Sequence, residues 1–251
     1  MKKLNKVFNL ILPLFSIGFM LLAWAIAAHV NDNEYILPSV SEAVREFFNL
    51  FLDGKFYRYT LFTILRSIIA FALSFVISAV LAYPASKSKM AEKLILPFIS
   101  VVRALPTIAI AWLLLFWTNN QIAPVVITML VVMPTSYTHI KSALESVDKT
   151  TLEAAAVDGG GRKDLFFRIE LPQIAPDLSS ITGSGIALNF KLMVAAEVLS
   201  ATVKSLGTML NMASYGFEVA KTLALTISVL ILGLVVEFIF NALSKKTGEW
   251  K

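Results

Sequence analysis

Residues 219–243 read VAKTLALTISVLILGLVVEFIFNAL, and only Lys221 and Glu237 among them are charged. A helix needs roughly 20 mostly apolar residues to cross a bilayer, so this run is long enough to span one. Working outward, Val7–Ala28, Tyr57–Tyr83, Leu94–Trp117, Ile122–Ile140 and Ile174–Leu199 are similar runs, which makes six candidate spans. The composition agrees with them. Hydrophobic residues are 57% and charged residues 16% of 251, with mean hydropathy +0.74, against about 25% charged in a soluble domain. A soluble chain this size needs more polar surface to cover its core. The expected class is an all-α polytopic membrane protein with six transmembrane helices. The basic residues are distributed by membrane side, so the net charge of +5 does not point to nucleic acid. The chain has no cysteine, which removes thiol catalysis, thiolate metal sites and disulfides.

Lys and Arg flanking the spans set the orientation. With the N-terminus inside, fourteen of the 22 basic residues fall on the cytoplasmic side, five outside, and Arg66, Arg103 and Lys191 within spans. Both termini are therefore expected in the cytoplasm and the chain in a cell membrane. Lys2, Lys3 and Lys6 precede a run ending Ala25-Ile26-Ala27, an A-x-A pattern that also suits a cleaved signal peptide. The run is longer than the usual apolar core of such peptides, which favours an uncleaved first span. The expected organisation is residues 1–30 as the N-terminus and first span, 31–56 as an external segment, and 57–251 as a core of five spans with a cytoplasmic loop at 142–172.

In the external segment, Val40, Val44, Phe47, Phe48 and Phe51 share a helical face, Ser39 and Glu42 fit a capping box, and Gly54 suits a stop. Such a helix lies along the membrane surface or packs on the bundle. The cytoplasmic loop reads as two short helices. Thr150 or Thr151 can cap the first, and Asp158-Gly159-Gly160-Gly161 breaks it. The second runs from about Lys163, carries Leu165, Phe166 and Ile169 on an apolar face, and is expected to end before Pro172.

Glu153-Ala154-Ala155, Gly159, Ile169 and Leu171-Pro172 stand at the spacing E-A-A-x3-G-x9-I-x-L-P. That pattern resembles the signature of the membrane-spanning permease subunits of type I ATP-binding-cassette importers. Ile36-Leu37-Pro38-Ser39-Val40, Leu65-Arg66-Ser67, Arg103-Ala104-Leu105-Pro106 and Val194-Ala195-Ala196-Glu197 resemble the nitrate, sulfonate and taurine branch. In the third span, Ala109-Ile110-Ala111 and Phe116-Trp117-Thr118 depart from a second proline and a Trp-Phe-Gly ending found in many relatives. The resemblance implies that the loop, with Glu153, Ala154, Ala155, Asp158, Gly159, Ile169, Leu171 and Pro172, docks into a groove on a cytoplasmic ATPase. It also implies two ATPase subunits, a second permease subunit (a second copy or a similar chain), an extracytoplasmic solute-binding protein, and alternating access for a small anionic or polar solute. ATP and Mg are expected on the partner ATPase and no cofactor on this chain, because no G-x-x-x-x-G-K-[ST] pattern is present. No catalytic residue and no metal site is expected here: His29 and His139 are too few and too far apart.

Charges inside spans cost at least about 2.5–3.5 kcal/mol at mid-helix, so they face a partner or water. Thr60, Thr63, Ser67, Ala70, Ser74 and Ser78 make a small, polar stripe on the second span, which suits close packing or a wet path. The resemblance places the second and fifth spans around the pathway. Ser67, Ser74, Arg103, Asn189, Lys191 and Glu197 are thus the candidate pathway residues, with Arg103 either structural or an attractor for anions. A six-span channel is the rival function, although a channel has no use for the docking loop. An intramembrane serine protease at Gly183-Ser184-Gly185 and His139 lacks an Asn or Asp to orient the histidine.

Overall fold

The computed structural model describes residues 2–31, 33–157 and 161–248. The described residues are helical and contain no strand. Four stretches among them are long and apolar enough to cross a membrane: Gly54–Lys87, Ala123–Glu145, Lys163–Leu199 and Val219–Ala242. A bent pair, Lys89–Ala104 with Thr107–Trp117, adds a fifth by length and composition. The first expected span falls within helix α1, Lys2–Asn31. The chain divides into two compact units, Met1–Arg58 with Met209–Ser228, and Tyr59–Thr208 with Val229–Lys251.

In the first unit, α1 is followed by α2, Val40–Leu50. Ser39 caps α2 as its sequence predicts: the Glu42 amide donates to Ser39 Oγ at 3.3 Å, and the Ser39 amide donates to Glu42 Oε2 at 3.0 Å. These bonds hold the Glu42 carboxyl below its ordinary range, the Ser39 amide most strongly. Trp24 Nε1 on α1 donates to Pro38 O at 3.1 Å and fixes the chain where it enters α2. Of α2's residues only Ala43 and Leu50 are buried, whereas Val44 and Phe48 are exposed. Ala43 and Leu50 thus face inward, while Val44 and Phe48 of the apolar face stay open. Gly54 does not stop α2. The next helix, α3, starts there and runs Gly54–Lys87, with Asp53 Oδ1 accepting the Lys55 amide at 2.8 Å, a cap that sets the start.

The second unit holds most of α3, then α4 (Lys89–Ala104), α5 (Thr107–Trp117), α6 (Ala123–Glu145), α7 (Lys149–Val157), α8 (Arg162–Leu165) and α9 (Leu171–Leu199). It also holds the start of α10 (Leu206–Tyr215) and the later part of α11 (Val219–Gly248). Its core joins Ala82 and Ala85 of α3, Ile99 and Val102 of α4, Met133, Tyr137 and Ile140 of α6, and Ile174 of α9. Gly185 allows α9 to meet Phe71 of α3, where a Cβ would lie 2.9 Å from the ring.

Two sequence expectations give way here. The predicted third span is broken by a 95° bend between α4 and α5. Pro106 has no N–H, and the residue before a proline is driven out of the helical region; Leu105 accordingly sits at φ −65, ψ 128. At Pro172 the opposite holds, and the helix does not end. A π-helical turn, Phe166–Glu170, joins α8 to α9, and the Leu171 amide donates to Phe166 O five residues back. The widened turn lets Pro172 enter in the first turn of α9, where a missing N–H matters least.

Candidate functional site

Between α6 and α9 the chain forms α7, α8 and the π-helical turn. Asp148, rather than Thr150 or Thr151, starts α7: Asp148 Oδ1 accepts the Thr150 amide at 3.0 Å, and the Thr150 and Thr151 hydroxyls donate to the same carboxylate at 2.7 Å. These bonds, the Thr151 hydroxyl's first, lower the Asp148 pKa to about 2. The Asp148 amide donates to Gln173 Oε1 at 3.2 Å, which ties α7 to the start of α9. Leu152 packs on the main core. Glu153 and Ala154 point outward, Ala155 is half-buried, and Val157 is 87% exposed. Asp158 and Gly159 lie outside the described residues. Ile169 and Leu171 are half-buried and Pro172 is exposed.

The π-helical turn adds residues that no motif singled out. Glu170, the variable position between Ile169 and Leu171, is 5% exposed and accepts from Lys87 Nζ of α3 at 2.7 Å. Phe166 meets the Tyr83 ring edge-on at 5.2 Å between centroids. Phe167 stands beside it, 63% exposed. Tyr83, Lys163, Phe166 and Phe167 line an almost wholly apolar hollow of about 440 Å³.

The candidate pathway residues divide by burial. Ser67, Ser74, Asn189 and Glu197 are buried, and Arg103 and Lys191 are exposed. Asn189 Nδ2 donates to Ser67 O at 2.7 Å and to Ser67 Oγ at 2.8 Å, joining α9 to α3. Four residues earlier on α3, the Thr63 hydroxyl donates to Glu197 Oε2 at 2.8 Å and accepts the Leu206 amide at 3.1 Å. Arg66 Nη1 lies 3.1 Å from Glu197 Oε1, and Arg66 Nη2 donates to Gln121 Oε1 and to Val203 O. The Gly207 amide donates to the same carboxylate at 3.4 Å. A Cβ at Gly207 would stand 2.6 Å from the Val198 nitrogen, so α10 can seat on the end of α9 only through glycine. Sequence reasoning marked Arg66 and Glu197 as intramembrane charges but did not pair them, since 131 residues separate them.

Arg103 Nη2 donates to Thr138 Oγ1 at 2.8 Å and to Pro134 O at 3.4 Å, both on α6. Lys191 lays its stem against Gly233 of α11, with Cε 3.2 Å from where a Cβ would be. Gly183 packs on Asn241 and His139 is exposed; the Ser184 side chain is outside those described. No group of three or more His, Asp or Glu is placed to hold a metal among the described residues.

Residues 74–249, more than half of the chain, match the family described as binding-protein-dependent transport system inner membrane component. The chain belongs to this family. The permease is 21% identical over 217 residues to a probable ABC transporter permease of Brucella abortus (strain 2308), covering 86% of each chain. It is 23% identical over 222 residues to the riboflavin transport system permease protein RibX of Chloroflexus aurantiacus, covering 86% of this chain and 81% of that one. With the taurine transport system permease protein TauC of Escherichia coli K12 it shares 19% over 233 residues, 90% and 84% of the two chains. Among solved structures, an inward-facing form of the MetNI methionine ABC transporter matches with TM-score 0.68 at 14% identity, over 77% of this chain and 96% of that one. A bacterial importer of the acidic polysaccharide alginate matches with TM-score 0.65 at 16% identity, over 98% of both. These likenesses establish the type I importer permease fold. The protein is a multi-pass cell-membrane permease subunit of a binding-protein-dependent importer. It is a transport subunit rather than an enzyme, working with a separate ATPase and a solute-binding protein.

Proposed function

We propose that two such permease subunits, most simply two copies of this chain, form one translocation pathway, with six spans each and both termini in the cytoplasm. Two ATPase subunits carry the ATP and Mg, and none is bound by this chain. The segment from α7 to the start of α9, with Glu153, Ala154, Ala155, Asp158, Gly159, Ile169, Leu171 and Pro172, is the ATPase-docking element. The observation that carries this reading is α7 itself. It is a short helix braced to α9 at its capping residue Asp148 and to the core through Leu152, yet it presents Glu153 and the 87% exposed Val157 outward. A rigid peg with a free face suits insertion into a partner's groove.

Of the six candidate pathway residues, Arg103 and Lys191 present exposed cations at span depth and suit a small anionic or polar solute. Ser67, Ser74, Asn189 and Glu197 are buried, and the Asn189–Ser67 bonds tie α9, which carries Lys191, to α3. The docking reading is tested by Glu153→Lys. Breaking a charge contact buried in an interface costs about 2–5 kcal/mol, and each 1.4 kcal/mol is tenfold in affinity. Copurified ATPase per permease should therefore drop at least about tenfold, while Phe48→Ala on α2 leaves it unchanged. Wild-type ATPase recovery with Glu153→Lys would overturn the assignment.

A further inference from the structure

The docking element touches a third helix through a contact that the docking reading does not use. Tyr83 and Lys87 are four residues apart near the end of α3, and Phe166 and Glu170 are four residues apart on the π-helical turn. Each pair occupies one face of its helix, so the two faces meet at two points. Tyr83 meets Phe166 edge-on at 5.2 Å, and Lys87 Nζ meets Glu170 Oε1 at 2.7 Å. The Lys87 ammonium also lies 5.8 Å from the Tyr83 ring centroid, which links the two points into one unit. One contact fixes a distance, whereas two fix a distance and an angle.

The carboxylate depends heavily on this partner. Glu170 is 5% exposed, and its second oxygen, Oε2, has no hydrogen-bond partner among the described residues. A buried carboxylate with one cation is held firmly in place by it. The turn so held is also the least regular piece of the continuous helix from Arg162 to Leu199. Five-residue spacing interrupts the four-residue ladder there, and such turns are where helices give. A push on the docked segment would be absorbed at Phe166–Glu170 if that turn were free. Phe167, on the outer side, leaves its ring open to a partner, while Phe166 is taken up by Tyr83.

We propose that Lys87 and Tyr83 are positioning residues for coupling: they clasp the π-helical turn so that displacement of the docked segment moves α3 and α9 together. This rests on the docking reading above. The clasp blocks the joint from yielding, and the second helix is thereby driven by the same stroke.

The chain has no cysteine, so paired spin labels can be placed cleanly. Val80→Cys on α3 and Arg168→Cys on the turn are both exposed positions outside the clasp. In the assembled permease–ATPase complex, the distance between these labels should be narrow and the same without nucleotide and with ATP and Mg. Lys87→Met or Tyr83→Leu should broaden it and make it shift on ATP, with copurified ATPase unchanged. The exchange Lys87→Glu with Glu170→Lys should restore the narrow distance. A purely structural contact would instead lower abundance and leave the distance independent of ATP. The proposal falls if the wild-type distance already shifts on ATP, a measurement that needs no clasp variant to fold. It also falls if both single variants keep the wild-type distribution. Failure of the docking reading looks different: Glu153→Lys would retain the ATPase, whatever the label distance does.

Discussion

Glu197 is wholly enclosed, and the carboxylate takes bonds from Thr63, Arg66 and Gly207. Removing one partner of a buried ion pair leaves the other uncompensated and costs about 3–5 kcal/mol. Arg66→Met should therefore lower the melting temperature and the membrane abundance of the permease sharply. Glu197→Gln should cost less, because the Arg66 cation that it leaves is partly exposed and keeps Gln121 Oε1 and Val203 O as acceptors. Unchanged melting of Arg66→Met would show that the pair holds nothing. The sequence flagged both residues from hydropathy alone, since charge inside an apolar run is conspicuous. It could not show that they meet, nor that Gly207 has to be glycine, because no local pattern encodes a contact across 131 residues. Glu170 is harder still: its motif position is unspecified, and in the sequence its partner Lys87 is one basic residue among those that flank the spans.

At the scale of elements, local rules succeeded where local chemistry decides. The Ser39–Glu42 capping box appears as the spacing implied. The first loop helix also appears where expected, with its cap moved to Asp148 because a carboxylate there can gather two hydroxyls and an amide at once. Proline defeated the local rule both ways: Pro106 breaks a run that reads as one span, and Pro172 breaks nothing, because a π-turn precedes it. Asp148 gives α7 a pH signature. Its carboxyl titrates near 2 in the folded chain against an ordinary 3.8. A depressed folded value means that the cap's contribution is complete above the unfolded pKa and is lost as pH falls through the folded one. The start of α7 should thus keep its protection from amide exchange down to about pH 4 and lose it as the pH approaches 2. Asp148→Ala should remove that pH dependence by fraying the first turn already at neutral pH. A titration midpoint near 4 for this carboxyl would contradict the cap.

For the whole molecule, the sequence carried the class and the family more readily than the path of the chain. Hydropathy marks length in lipid, so among the described residues four of the six expected spans fall on helices long and apolar enough to cross a membrane, and a fifth falls on the bent pair. The helix α10 was missed because ten residues are too short to stand out, although Ser205 and Thr208, whose hydroxyl and amide cap it, were the available signal. Orientation rests on the asymmetry of basic residues. Reporter fusions at Lys89, Lys163 and Lys251 should report cytoplasm, and fusions at Asp53 and Lys204 the outside. An external report at Lys163 would put the docking element on the wrong side for any ATPase.

The bend between α4 and α5 bears on the order of synthesis. Both acceptors of Arg103, Pro134 O and Thr138 Oγ1, belong to α6, which the ribosome makes afterwards. A nascent chain that has reached only Trp117 holds a guanidinium at span depth with neither acceptor yet in existence. It also holds a break in the helical ladder, in a medium that offers backbone groups no water. The bent form can thus be sealed only once α6 has arrived, so the two arms of the bend close together with the helix that follows them.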